Sequence, residues 1–260
     1  MLTTDGVIDS LFYIDTFSER IRYSNPVILM AGGLGTRLAP LTNDCPKPLL
    51  KVGGKPIVEI ILESFVEQGF EQFFISINYR AQMVKQYLGD GSTWNVHIHY
   101  LEEDNKLGTA GGLKLLPERP ACPFIVMNAD LLTKVNFGNL IHYHSEQKSI
   151  GTMGVREYDF QVPYGVVNVD EYKITKIVEK PLHRFFVNAG IYCLDPPSLD
   201  FIPNASYFDM PNLLQALLAA GKQLSCFPIR EYWIDIGQLR DFQRANEEYA
   251  EQFLYVTRKK

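Results

Sequence analysis

The chain lacks several features that mark other classes of protein. Its four cysteines are widely spaced and form no CxxC pair, so reduced thiols are expected. No run approaches the roughly 18 apolar residues of a membrane span. The net charge of −5 argues against nucleic acid as a partner. The N-terminus has neither the basic nor the apolar region of a signal peptide. We therefore expect a cytoplasmic protein with no nucleic-acid or membrane partner.

Two common nucleotide-binding motifs are also missing from the glycine-rich segment that follows the first apolar run. A P-loop ends in Gly-Lys-Ser/Thr, whereas this segment ends in Gly35-Thr36-Arg37. A dinucleotide fingerprint starting at Gly33 requires glycine or alanine at the position of Leu38. The segment is therefore neither of these motifs.

Residues 27–49 nevertheless have the character of a polyphosphate site. Arg37 supplies a charged fork suited to phosphate oxygens, and Lys47 supplies a point charge between two stiffening prolines. Three glycines let backbone N–H groups face an anion without an intervening side chain: Gly32, Gly33 and Gly35. The pattern predicts that this loop binds the phosphates of a nucleoside triphosphate.

The order of elements predicts an α/β fold. In the first half, apolar strands alternate with amphipathic helices, which indicates a mostly parallel sheet with helices on both faces. The second half is richer in strands and predicts a smaller β-rich lobe. The expected strands are 26–31, 73–79, 97–101, 123–127, 150–157, 165–169, 173–179, 186–193 and 223–230, and the expected helices are 55–69, 81–88, 109–116, 211–220 and 238–253.

The chain shows no linker, so we expect one domain over residues 25–255. Residues 1–24 precede the first core strand and carry no motif. Two interpretations of this segment are open: the end of a regulatory module, or an N-terminal arm that packs on the surface or on a partner subunit. Homo-oligomerisation is also left open.

Two aspartates stand out as metal-ligand candidates. Asp130 ends the apolar run PFIVMNAD, at the edge of the sheet where open α/β proteins bind ligands. Strand alternation places Asn128 on the same side. Asp235 lies in the apolar run YWIDIG, where a carboxylate needs a partner such as a metal ion. A turn aspartate and a buried structural aspartate are the alternatives.

The motif GGLGTRLAPLT, followed by PKPL, resembles the signature of the sugar-phosphate nucleotidyltransferases. The resemblance extends over about residues 25–250. It implies a Rossmann-like three-layer α/β/α fold with a sugar-binding lobe. The implied reaction joins a nucleoside triphosphate to a sugar 1-phosphate, releases diphosphate and uses Mg²⁺.

The resemblance also implies roles for individual residues. Asp130 and Asp235 are the expected Mg²⁺ ligands, and the expected catalytic residues are Arg37, Lys47, Asp130 and Lys180. Nucleotide contacts are expected from Ala31, Gly32, Gly33, Gly35, Thr36, Arg37, Glu102 and Gly108. Contacts to the sugar phosphate are expected from Asn128, Gly165, Glu179, Lys180 and Asn188.

The substrates are narrowed by the segments VPYGVV, EKPLHRFFVNAGIY and YFDMP. These most resemble bacterial guanylyltransferases for glucosamine 1-phosphate or heptose 1-phosphate, which act in surface-glycan or nonulosonic acid synthesis. Glutamate at position 102 weakens a thymidylyltransferase interpretation. Two other functions are open: a catalytically silent regulatory subunit, and transfer to a non-sugar phosphate such as phosphocholine. Two interpretations of residues 183–186 are open: they line the acceptor pocket, or they pack on the lobe.

Overall fold

The computed structural model describes residues 21–254 of the protein, so the expectation for residues 1–24 lies almost wholly outside the described part. The strands are β1 (Val27–Met30), β2 (Lys51–Val52), β3 (Lys55–Pro56), β4 (Gln72–Ile77), β5 (His97–Glu102), β6 (Phe124–Asn128), β7 (Leu131–Thr133), β8 (Gly151–Gln161), β9 (Val166–Asp170), β10 (Lys173–Val178), β11 (Leu182–Leu194), β12 (Leu224–Pro228) and β13 (Trp233–Asp235). The α-helices are α1 (Ile57–Glu67), α2 (Ala81–Leu88), α3 (Gly108–Gly111), α4 (Phe137–Gln147), α5 (Met210–Ala219) and α6 (Leu239–Tyr249).

A seven-stranded sheet in the order β12-β8-β11-β6-β1-β4-β5 forms the centre of the protein. The pairs β6–β1, β1–β4, β4–β5 and β8–β12 are parallel, whereas β11 runs antiparallel to both of its neighbours. The predicted mostly parallel sheet is therefore confirmed. Met30 pairs with Asn128 in register, so the carboxyl ends of β1 and β6 meet at one edge. The glycine-rich loop leaves the sheet at this edge.

The predicted β-rich lobe is formed by the outer ends of the two long strands β8 and β11, together with β9 and β10. The Leu194 end of β11 pairs with the buried start of β8, and its Leu182 end pairs with Gln161 in the exposed part of β8. The β9–β10 hairpin connects the two strands at this outer end. The lobe thus extends from the main sheet as a continuation of β8 and β11.

Helices cover both faces of the sheet and bury two apolar clusters. On one face Phe65 of α1 stacks on Phe137 of α4 with ring centroids 3.7 Å apart. On the other face Leu213 and Leu217 of α5 belong to a second buried cluster, which also contains Val126 of β6. Burial of such side chains supplies most of the stability of a domain of this size.

Several elements differ from the sequence prediction, and the short strands β2, β3, β7 and β13 were not predicted. Helix α1 starts later than expected because Lys55–Pro56 pairs with Lys51–Val52 as a short hairpin. Residues 109–116 form a short α-helix followed by a 3₁₀ helix, Gly112–Leu115. Helix α4 was not predicted, since its sequence is polar, and Asn136 caps it by accepting from the Asn139 N–H at 2.8 Å. Within residues 21–254 no helix is long and apolar enough to cross a membrane.

Candidate active site

The glycine-rich loop is held at both of its ends. The Ala31 N–H donates to the Ser76 carbonyl at 2.8 Å, which ties the end of β1 to β4. Thr36–Leu38 then forms a single 3₁₀ turn that buries Leu38 and leaves Arg37 exposed. Thr42 Oγ1 donates to the Gly35 carbonyl at 2.9 Å and closes the loop. Arg37 is therefore presented from a braced turn.

Lys47 and Asp130 form an ion pair next to this loop. Lys47 begins a 3₁₀ turn between its two prolines and is only 9% exposed. Its ammonium donates to Asp130 Oδ2. Asp130 Oδ1 and the neighbouring Asn128 Oδ1 are both buried without a hydrogen-bond partner among residues 21–254. Two acceptors in one place that lack donors indicate a ligand site.

Asp235 lies beside Asp130 because strand β13, which ends at Asp235, pairs with strand β7, which begins directly after Asp130. Strand β13 is antiparallel to β7, and the Ile236 N–H donates to the Asp130 carbonyl at 2.9 Å. The Asp235 side chain is partly desolvated by its surroundings. This desolvation and the negative charge of Asp130 together raise the pKa of Asp235, while Lys47 and Arg37 act in the opposite direction. The two carboxylates are thus close enough to repel each other electrostatically.

This pair of carboxylates fits a hard cation. No group of three or more metal-ligating side chains occurs in the described part of the chain. A metal held only by Asp130 and Asp235 must therefore complete its shell with water and substrate oxygens, as Mg²⁺ does when it binds phosphates. The unpartnered Asp130 Oδ1 and the mutual repulsion of the two carboxylates both favour a cation there.

A cavity of about 320 Å³, here called the nucleoside cavity, opens between the glycine-rich loop and β6. Its lining includes residues predicted to bind nucleotide, sugar phosphate or metal: Gly32, Gly33, Arg37, Gly108, Asn128 and Asp130. It also includes residues to which the sequence assigned no individual role: Met30, Glu103, Lys106, Thr109, Tyr207 and Asp209. The structure thus brings together residues from distant parts of the chain.

Glu103, and not the predicted Glu102, faces the nucleoside cavity. Glu102 points away and forms an ion pair with Lys85 of α2 at 2.6 Å. Glu103 is 8% exposed, and its carboxylate accepts from Ser76 Oγ and from the Leu107 N–H. Glu103 has the same strand parity as Leu101, whose burial only the structure shows.

The far wall of the nucleoside cavity is a clasp between residues 107–111 and 206–210. The Ala110 and Gly111 N–H groups both donate to the Phe208 carbonyl, at 2.9 and 2.8 Å. Asp209 Oδ1 accepts from the Thr109 N–H at 2.9 Å. Burial alone would raise the pKa of Asp209, but hydrogen bonds from Tyr207 and Thr109 lower it overall. The clasp presents an ionised carboxylate and fixes this wall.

Asn188, which is predicted to contact the sugar phosphate, forms its hydrogen bonds within its own strand. Its side chain accepts from the Gly190 N–H at 2.9 Å and donates to the Tyr192 hydroxyl at 2.7 Å. Gly190 has a φ of 71°, and a Cβ there would lie 2.8 Å from Asn128 Nδ2. The β11 backbone therefore approaches Asn128 closely, and glycine permits this approach.

The remaining predicted sugar-side residues lie together on the lobe. Glu179 Oε2 would be 2.9 Å from a Cβ on Gly165, so the Glu179 carboxylate covers this glycine. Lys180 follows directly with a φ of 44°. Among the described residues that line the nucleoside cavity, none of these three is present. The structure keeps them as a separate group.

The register of β11 against β8 places residues 183–186 on two opposite faces of the lobe. His183 pairs with Phe160 and Phe185 with Tyr158, so these four rings share one face of the lobe. Arg184 lies on the opposite face and forms an ion pair with Asp159 at 2.9 Å. Phe186 shares that opposite face because alternate residues of a strand point the same way.

Comparisons with known proteins agree with this architecture. A model of the family described as "Nucleotidyl transferase" matches residues 26–252. The chain belongs to the nucleotidyl transferase family.

Several family members can be compared over most of the chain. The mannose-1-phosphate guanyltransferase of Yarrowia lipolytica is 34% identical over 224 residues, covering 83% of this chain and 61% of the relative. The UTP–glucose-1-phosphate uridylyltransferase of Synechocystis is 30% identical over 238 residues, covering 84% and 61%. The family member described here thus spans about three fifths of the length of these curated relatives.

Solved structures support the fold. The crystal structure of HddC from Yersinia pseudotuberculosis is 29% identical, with a TM-score of 0.68, and covers 86% of this chain and 99% of that one. A structure of the same protein complexed with GMP-PN is 27% identical over the same shares, with a TM-score of 0.66. The Rossmann-like nucleotidyltransferase fold is therefore established for this chain.

Proposed function

We propose that this nucleotidyl transferase moves a nucleoside monophosphate from an NTP to a sugar 1-phosphate, giving an NDP-sugar and diphosphate. The observation that carries the proposal is the placement of the Lys47–Asp130 ion pair beside Asp235, at the edge where the glycine-rich loop ends. Cations and metal-binding carboxylates at one point are what a reaction between two phosphates requires.

The chemistry needs no nucleophile from the protein. An oxygen of the sugar phosphate forms a bond to the α-phosphorus of the NTP. The bond from that phosphorus to the oxygen bridging the α- and β-phosphates breaks, and its electron pair leaves with diphosphate. The attacking oxygen is already anionic, so no proton has to be removed. The protein must instead align two anions that repel each other.

Each side chain then has a defined task. Arg37 and the loop amides hold the triphosphate, and Lys47 lies at the junction of the reacting phosphates. We assign Mg²⁺ to Asp130 and Asp235, where it would supply positive charge that screens the phosphates. Lys180 and Glu179 grip the sugar phosphate from the lobe, with Gly165 and Asn128 beside the sugar. These assignments follow the family resemblance, and the positions above are compatible with them.

Within this reaction we favour GTP, because of Glu103. Ionised carboxylates only accept hydrogen bonds, and guanine offers N1–H and an amino group as adjacent donors. Uracil and thymine offer one N–H between two carbonyl oxygens, which a carboxylate would repel. The similarity of HddC, solved with GMP-PN, supports the same base. For the acceptor we favour a hexosamine or heptose 1-phosphate, in surface-glycan or nonulosonic acid synthesis.

The test is a diphosphate-release assay of four NTPs against a panel of sugar 1-phosphates. We expect the highest kcat/KM with GTP and a hexosamine or heptose 1-phosphate. Arg37→Ala should lower turnover by roughly 100- to 1,000-fold with the fold intact, because it removes a preorganised charge from the phosphate site. Near-normal diphosphate release by this variant, or no turnover of any pair by the unmodified protein, would overturn the proposal.

A further inference from the structure

A second cavity, here called the arginine cavity, has Asp235 in its lining. It measures about 480 Å³, and its lining includes Arg37, Tyr158, Asp235, Arg240 and Arg244. Arg37 also lines the nucleoside cavity, so it stands where the two cavities meet. The arginine cavity therefore adjoins the expected position of the triphosphate.

The charges facing the arginine cavity favour an anion. Its lining contains three guanidinium groups and two carboxylates, those of Asp235 and Asp241. Asp241 is already engaged, because its Oδ2 accepts from the Gln238 N–H at 3.1 Å and caps α6. Arg240 contacts the other Asp241 oxygen only at 3.5 Å, and its side chain is 78% exposed. Its guanidinium is available for another partner.

Arg244 lies one helical turn after Arg240, on the same face of α6. Its Nε donates to Glu248 at 2.7 Å, which orients the guanidinium along the helix. The planar fork of arginine suits phosphate oxygens, because two parallel N–H groups can reach one phosphate group. Together with Arg37, the two helix residues form an arginine wall close to Asp235.

The reaction itself indicates which anion would enter. Among the described residues lining this cavity, none is predicted to contact the base or the sugar phosphate. In an in-line displacement the leaving group departs from the face opposite to the attacking oxygen. The glycine-rich loop holds the β- and γ-phosphates while they are part of the NTP, so the released diphosphate is the reacting anion without an assigned exit position. We propose that Arg240 and Arg244, with Arg37, bind the inorganic diphosphate that the reaction releases.

This inference rests on the proposed function, since it gives a product of that reaction a second set of contacts. The glycine-rich loop would hold the β- and γ-phosphates before transfer. The arginine cavity would then receive them as free diphosphate, next to solvent. Because its two helix arginines are exposed, the site favours release over tight retention. It would also serve as the entry point for diphosphate in the reverse reaction.

The test measures diphosphate binding without requiring turnover. Calorimetric titration of inorganic diphosphate would compare the unmodified protein with Arg240→Gln, Arg240→Lys and the Arg240→Gln/Arg244→Gln double variant. Arg119→Gln is the matched control, since Arg119 pairs with Asp200 and lines neither described cavity. We expect about tenfold weaker diphosphate binding for Arg240→Gln, since it removes one charged hydrogen-bonding group. The double variant should lose more, and Arg240→Lys should keep part of the affinity.

A second measurement separates the product site from the acceptor site. The same variants would be titrated with a sugar 1-phosphate and assayed for the KM of diphosphate in the reverse reaction. The inference predicts a raised KM for diphosphate with unchanged sugar-phosphate affinity. Equal diphosphate affinity in all variants, or an equal loss of sugar-phosphate affinity, would overturn it. Arginine-dependent diphosphate binding without any NTP turnover would instead contradict the proposed reaction.

Discussion

The Lys47 ammonium and the Asp130 carboxylate, 83 positions apart in the chain, form an ion pair in which only one carboxylate oxygen is used. The other oxygen is buried without a partner within residues 21–254. One aspartate is thus shared between a fixed cation and an open coordination position. This arrangement neutralises part of the charge of Asp130 and still leaves it free to bind a metal ion.

Replacement of Lys47 tests whether its positive charge contributes to catalysis. Lys47→Gln should lower kcat by roughly 100- to 1,000-fold, because it removes a preorganised charge from the reacting phosphates. Single-turnover kinetics and thermal unfolding would be measured together, with the exposed Lys51→Gln as the charge-matched control. A kcat within twofold of the unmodified enzyme would show that Lys47 serves only to neutralise Asp130.

Adjacent glutamates provide a test of base selection. Glu103→Gln should shift the ratio of kcat/KM for GTP over UTP by about 10- to 100-fold towards UTP, because an amide can both donate and accept. Glu102→Gln should leave the ratio unchanged, since Glu102 is paired with Lys85 outside the cavity. If the two variants behave alike, Glu103 does not read the base.

Asp235 should reduce the stability of the metal-free protein at neutral pH. Its pKa is raised by partial desolvation and by Asp130, so its protonated form stabilises the fold at acid pH. That contribution disappears as the pH rises through the pKa of the folded state. Asp235→Asn should therefore raise the Tm at pH 7, with a gain that shrinks towards pH 4, and should abolish activity.

Thermal denaturation between pH 4 and pH 8 without metal would measure this effect. Asp200 is the control of opposite sign, because its hydrogen bond with Arg119 lowers its pKa. Asp200→Asn should lose stability at neutral pH and lose none at acid pH. Added Mg²⁺ with GTP should raise the Tm of the unmodified protein more than that of Asp235→Asn. A lower Tm for Asp235→Asn at pH 7 would contradict the proposed repulsion.

A substitution of Gly190 would test whether the position of Asn128 affects binding of the sugar phosphate. Gly190→Ala introduces a Cβ 2.8 Å from Asn128 Nδ2 and strains a φ of 71°. We expect a loss of about 1–3 kcal/mol in the free energy of unfolding and a raised KM for the sugar phosphate. Gly221→Ala has a similar φ of 69° in open space, so it reports strain alone. Equal KM values for the two variants would exclude a role for Asn128 displacement.

Much of the fold was accessible from local sequence patterns. The apolar runs that became β1, β4 and β6 and the helix at Ala81–Leu88 were predicted close to their observed bounds. Helix α4 was missed because its apolar stripe is interrupted by histidine, serine and asparagine. Its stability comes from packing such as the Phe65–Phe137 stack, which no local pattern displays.

Part of the candidate site could likewise be predicted from local sequence, and part depends on long-range packing. The glycine-rich loop and its cations are contiguous, so their spacing alone predicts a phosphate site. Placing Glu103 rather than Glu102 in the nucleoside cavity depends on the register of β5 against β4. The clasp of Tyr207 and Asp209 and the arginines of α6 come from elements that approach the site only through long-range packing.

The sequence by itself determined the chemical inventory of this protein: a glycine-rich loop suited to phosphates, two cations beside it, two carboxylates suited to a metal ion, and the alternation of an α/β fold. These properties depend on residues near each other in the chain. The tertiary structure alone decided which of two neighbouring glutamates faces the nucleoside cavity, that Lys47 pairs with Asp130, and that Arg240 and Arg244 share a cavity with Arg37. Side-chain direction follows strand register and helix packing, and both are settled by contacts between distant segments.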